Sequence, residues 1–107
     1  MSRRIFWLLD LDGECIHAVL SADSPRAAAL IAATRHHRDI CLVDPRGGKV
    51  HQFLGQRVPL GSQRDAYAER RNITEKPVVR KIAYKKVRAE LTEDDVGELA
   101  RELREGA

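Results

Sequence analysis

The apolar positions of this chain fall into short runs separated by turn residues, with one longer stripe near the end. Ile5-Phe-Trp-Leu-Leu9 predicts a strand and is far too short to span a bilayer. It closes on Asp10-Leu-Asp-Gly-Glu14, and Cys15-Ile-His-Ala-Val-Leu20 follows as a second strand. An Asp-Gly between two such runs predicts a hairpin with a type I′ turn. Ser24 can cap a helix and Pro25 suits its first turn. The alanine-rich stretch that follows predicts a helix from Arg26 through Arg35, stopping near His36-His37.

Asp39-Ile-Cys-Leu-Val43 reads as a third strand. Asp44-Pro-Arg-Gly-Gly48 reads as a turn, in which proline sets φ and glycine supplies positive φ. Lys49 to Val58 makes a fourth strand. Pro59 to Asn72 is polar and without a period, the pattern of a long, exposed, flexible segment. Ile73 to Val87 reads as a fifth strand, broken or bulged near Pro77. In Leu91 to Arg104, Val96, Leu99, Ala100 and Leu103 fall at helical spacing and form one apolar stripe. Thr92 is the expected cap, with acids at the start of this helix and Arg101 and Arg104 at its end.

The order β-β-α-β-β-β plus a terminal helix places the chain in the α+β class. Five short strands joined by hairpins suggest a strongly curled antiparallel sheet or pseudo-barrel. With 107 residues there is room for one compact domain: residues 1–87 as the body and 88–107 as an acidic amphipathic extension.

Charge changes the picture more than composition does. Residues 49–87 carry ten basic side chains against three acidic ones, netting +7, although the whole chain nets only +3. Residues 88–107 carry three basic and seven acidic, netting −4. A basic middle followed by an acidic tail is the sequence form of a polyanion-binding face. Cys15 and Cys41 have no CxxC spacing and each sits in an apolar run, so both are expected as reduced core thiols. Met1-Ser2-Arg3-Arg4 is basic, but no long apolar stretch follows, which points to no signal peptide and an intracellular protein.

Four blocks between residues 4 and 87 resemble the methanogen chromosomal protein (MC-one) family of archaeal chromatin. Leu8 to Val19 is similar to its opening hairpin. Ser24-Pro-Arg-Ala-Ala-Ala-Leu-Ile-Ala-Ala-Thr-Arg35 is similar to its helix, Lys49-Val-His-Gln-Phe53 to its fourth strand, and Ile73-Thr-Glu-Lys-Pro-Val-Val-Arg-Lys81 to the start of its last strand. The resemblance implies a monomer that binds duplex DNA with little sequence preference and bends it, using the arm between the fourth and fifth strands. That arm corresponds here to residues 56–72. Arg64-Asp65-Ala66-Tyr67 stands where the family has Arg-Pro-Ala-Trp, and Gln56 stands where it has a second tryptophan.

The expected DNA-contacting set is Arg4, Arg26, Lys49, Gln56, Arg57, Arg64, Tyr67, Arg70, Arg71, Lys76, Arg80, Lys81 and Lys85. Arg26 would add its charge to the free N–H groups of a helix start, and Tyr67 would wedge or stack at a base step. Trp7 is expected in the core. Ile31, where the family has lysine, is expected to be covered by the terminal stripe, and helix 91–104 to dock on the body or on a second copy. This reading calls for no cofactor, metal or membrane, and for a nucleoid-associated cytoplasmic protein or one packaged with a viral genome.

Two other readings compete. The basic face could meet an acidic protein, as an interaction or virion-structural module. Asp10-Leu-Asp-Gly after an apolar strand also resembles the first motif of haloacid-dehalogenase-type phosphatases, with Lys81 or Lys85 and Asp94-Asp95 as the remaining parts. The chain is short for that doubly wound sheet, and its strands run as hairpins. The same aspartates lack the further ligands of a calcium loop. His36-His37 and His51 lack partners at metal-ligand spacing.

Overall fold

The computed structural model describes residues 3–61 and 65–106. Its elements are β1 (Arg4–Asp10), β2 (Cys15–Ala22), α1 (Pro25–Thr34), β3 (Asp39–Asp44), β4 (Lys49–Pro59), α2 (Ala66–Arg70), β5 (Glu75–Lys86) and α3 (Val96–Glu105), the last preceded by a 3-10 turn at Glu93–Asp95. All five strands join one antiparallel sheet in the order β2-β1-β3-β4-β5. The α+β class holds. The curled pseudo-barrel does not: β2 and β5 remain two separate edges, and the molecule is only 19 Å across its thinnest axis. A helix packs against each face of the sheet, so each face is covered without closure.

The two hairpin turns share one solution. In each, an aspartate ends the strand and accepts a hydrogen bond from the N–H three residues on: Gly13 to Asp10 Oδ1 at 3.1 Å, and Gly47 to Asp44 Oδ1 at 3.2 Å. The next residue then takes a left-handed conformation, Glu14 at φ 53° and Gly48 at φ 62°. The first turn is therefore a four-residue loop and not the expected type I′ pair at Asp12-Gly13. At Gly48 a side chain is impossible, since a Cβ would lie 1.6 Å from the Arg88 carbonyl oxygen.

α1 begins as expected, with Ser24 Oγ accepting from the Ala27 N–H at 3.1 Å and Pro25 in the first turn. It ends in a Schellman pattern: His36 N–H bonds the Ala33 carbonyl and His37 N–H the Ala32 carbonyl. His36 occupies the left-handed position, φ 69°, that glycine favours. Replacing His36 by Gly is expected to raise stability by about 1 kcal/mol, read as a shift of the urea midpoint.

Two hydrophobic clusters sit on opposite faces of the sheet. The first holds Phe6, Leu8, Leu20, Ile40, Leu42, Phe53 and Val79 under the alanines of α1. The second holds Leu9, Cys41, Val43 and Val50 under Leu91, Val96 and Leu99, with Trp7 and Leu103 at its margin. The terminal helix thus docks on the body, on the face opposite α1. Ile31 packs within the first cluster, so the terminal stripe does not cover it. Cys15 is exposed, contrary to expectation, because it ends the β1–β2 ladder opposite Asp10. Cys41 is buried, and burial pushes its thiol pKa up to about 12.

The segment expected to be flexible contains α2. Asp65 caps it, accepting from the Ala68 N–H at 2.8 Å, and Asn72 closes it at φ 58°. β5 runs unbroken through Pro77, which pairs with Arg57 on the sheet's edge, where a missing N–H costs little. The irregularity lies elsewhere. Gln52 pairs with Ala83 and Phe53 with Lys81, which leaves Ile82 as the bulged residue.

Candidate nucleic-acid interface

Strand alternation and that bulge decide where the cations go. Phe53 and Val79 lie on the α1 face, so their neighbours in register, Lys81, Gly55 and Arg57, lie there too. Beyond Ile82 the alternation of β5 flips. Tyr84 then pairs with His51, and Lys86 with Lys49, all on the α1 face. On β1, Arg4 shares this face with Phe6, and its guanidinium lies over the Phe6 ring at 5.1 Å. The result is a platform of Arg4, Lys49, Lys81 and Lys86 around Tyr84, beside the helix whose first turn carries exposed Arg26.

The platform is internally braced. Arg4 pairs with buried Asp44 at 3.6 Å. Lys81 Nζ lies over the Tyr84 ring at 4.8 Å, and Tyr84 packs on His51 with ring centroids 5.1 Å apart. His51 is 7% exposed, and its Nδ1 is buried without a hydrogen-bond partner. Burial first, and then nearby Lys81, hold its pKa below the ordinary 6.5. As the pH falls through 6.5, the unfolded chain takes up a proton here that the folded chain refuses. Stability from this group is therefore level above 6.5 and declines below it. Urea unfolding of the wild type should weaken between about pH 7 and 5, and His51→Gln should flatten part of that decline.

The other expected contacts are distributed differently. Gln56, Lys76, Arg80 and Lys85 alternate onto the second face, since Lys85 pairs with Val50 of the second cluster. Arg57 lies on the first face but pairs with Glu75 at 3.7 Å. At the tip of the β4–β5 arm, Tyr67 is 55% exposed and the Arg71 guanidinium lies over its ring at 5.2 Å, with exposed Arg70 on the same short helix. Arg64 lies outside the described residues. Tyr84 and Lys86 were missed in the sequence because the bulge that turns them to this face leaves no composition signal; His51 reaches it by the regular alternation of β4. The Lys49-Val-His motif was the available clue.

The acidic tail does not cover these cations. Among the described residues, Asp95 pairs with Arg88 at 3.0 Å, and Glu14 takes both Arg101 at 3.0 Å and Arg104 at 3.3 Å. None of these pairs reaches the platform, and α3 packs on the opposite face of the sheet.

A concavity of about 560 Å³ opens where β1 and β3 diverge, lined by Asp10, Asp12, His17, His37, Asp39 and Gln52 together with apolar side chains such as Leu9, Ile40 and Phe53. Lys81, Lys85, Asp94 and Asp95 do not line it, and Asp10 serves its turn, so the phosphatase parts are not assembled. No group of three His, Cys, Asp or Glu among the described residues could hold a metal ion. No helix among them is long and apolar enough to cross a membrane.

Chromosomal protein MC1a of Methanothrix soehngenii is 42% identical to this chain over 84 residues, which is 78% of this chain and 93% of the relative. The chain belongs to the MC1 family of chromosomal proteins. No family model and no solved structure matches it.

Proposed function

We propose that this MC1-family chain is a non-enzymatic DNA-binding protein of chromatin, which grips duplex backbones and bends them without reading base sequence. The observation that carries this reading is the platform of Arg4, Lys49, Lys81 and Lys86 around Tyr84, on the face of the sheet opposite α3. The curated relative named as a chromosomal protein supports it. Lysine and arginine on one side neutralise phosphates on one side of a duplex, and that asymmetry lowers a bending cost of several kcal/mol. The arm extends the same ribbon beyond β3, and Tyr67 with Arg71 at its tip is built to stack against an opened base step. Residues 1–87 hold the DNA-facing part, and 88–107 support it from behind. The protein would be found with the nucleoid or with a packaged genome.

Binding to a pre-bent and a linear duplex of equal length, across a salt series, tests this. If six to eight cations meet phosphates, log K falls against log salt with a slope of about −5 to −7, and the bent duplex binds more tightly. A slope near zero sinks the reading and favours an acidic protein as partner.

A further inference from the structure

One buried side-chain polar atom among the described residues has no hydrogen-bond partner, Nδ1 of His51. Folded chains leave few such atoms unmatched, and those they do leave ask for a reason. His51 sits in β4 between Lys49 and Phe53, on the same face as the cationic platform, and is 7% exposed. It is therefore a basic group held out of water at the centre of the proposed DNA-binding face. The other histidines are not so placed: His17 stands in the bulge of β2, and His36 and His37 end α1.

Charges reach His51 from four strands. Arg4 of β1, Lys49 of β4 and Lys81 of β5 oppose a proton on its ring, and Asp44 of β3 favours one. Tyr84 of β5 packs on the ring, and Lys86 pairs in register with Lys49. Asp44 is already engaged on both oxygens, Oδ1 by the Gly47 N–H at 3.2 Å and Oδ2 by Arg4 at 3.6 Å. In the free protein, then, the cations prevail and the imidazole stays neutral. Phosphates on the platform would reverse that balance. They offset Lys49 and Lys81, and they compete with Asp44 for the half-exposed Arg4 guanidinium. Each change favours a proton on His51. Desolvation can oppose them little further, because so little of this residue is left for a duplex to cover.

We propose that His51 is a proton-binding site coupled to the DNA face, neutral in the free protein and protonated when a duplex occupies the platform. This inference rests on the DNA-binding reading above and deepens it. Linkage makes the coupling reciprocal: the duplex raises the affinity for the proton by the factor by which the proton raises the affinity for the duplex. Binding consequently tightens as the pH falls, although the stability of the free chain declines over the same range.

Two measurements on the full chain, with the duplexes of the salt series, test it. The imidazole signals of His51 can be followed by NMR between about pH 8 and 5.5, with and without saturating duplex. Their titration midpoint should lie higher in the complex by about one unit. At fixed salt, duplex affinity should rise about threefold or more from about pH 7.5 to 5.5. His51→Gln should remove that rise, and His17→Gln, off the platform, should keep it. A midpoint that bound duplex does not move, or a rise that survives His51→Gln, overturns the inference and leaves DNA binding standing. A chain that binds no duplex at any pH sinks the proposed function and this coupling with it.

Discussion

Ending the chain after Val87 is expected to abolish cooperative folding at room temperature. The acidic composition of residues 88–107 suggests a dispensable tail, but Leu91, Val96 and Leu99 are each at most 4% exposed and cover the second face of the sheet. Side chains of this kind contribute about 1.5–3 kcal/mol each when fully buried. Their joint loss, about 4.5–9 kcal/mol, matches the whole stability of a typical small domain. It would also bare Leu9, Val43 and Val50 to water. Leu99→Ala is the graded version, with an expected cost of about 2–4 kcal/mol. Circular dichroism through a urea titration reads both. A truncated chain with an unchanged midpoint would mean that α3 is an ornament on a self-sufficient body.

The second large effect is on binding. Substituting Lys49, Lys81 and Lys86 together by Ala should reduce the salt slope by about 2–3, at about 0.9 per phosphate contact, and cut duplex affinity at least tenfold near 0.1 M salt. Substituting Lys76, Arg80 and Lys85 removes the same formal charge from the other face and should cost less in both measures. All six side chains are at least partly exposed, so folding should survive in each triple variant. Equal losses would show that net charge alone governs binding. A larger loss from the second triple would move the interface to the other face.

That contrast could not be drawn from the sequence, and the reason is one residue. Without a bulge, Lys81, Ala83 and Lys85 would share a face. With Ile82 looped out, Lys81 instead shares its face with Tyr84 and Lys86. Patterns that are local in sequence were legible. The Ser24-Pro25 helix start, the stripe from Val96 to Leu103 and the succession of the five strands along the chain follow from capping and periodicity. Where a long-range partner decides the outcome, the pattern was silent. Glu14 bends into a left-handed turn while it holds Arg101 and Arg104 some ninety residues on. α2 has only five residues, too few for a periodic signal, and rests on Asp65 at one end and Asn72 at the other. The basic segment was visible as a segment, but its division between two faces was not.

The turn that precedes Lys49 carries a further consequence. Val87 donates to the Gly48 carbonyl at 2.7 Å and Leu91 to the Pro45 carbonyl at 2.8 Å, so the stretch leading into α3 is stitched across this hairpin. Lys49 and Lys86 stand on either side of that stitch. The ladder sets their spacing, and the stitch ties that end of it to the segment behind the sheet, so a substitution that loosens α3 is expected to loosen the Lys49–Lys86 end of the hairpin as well.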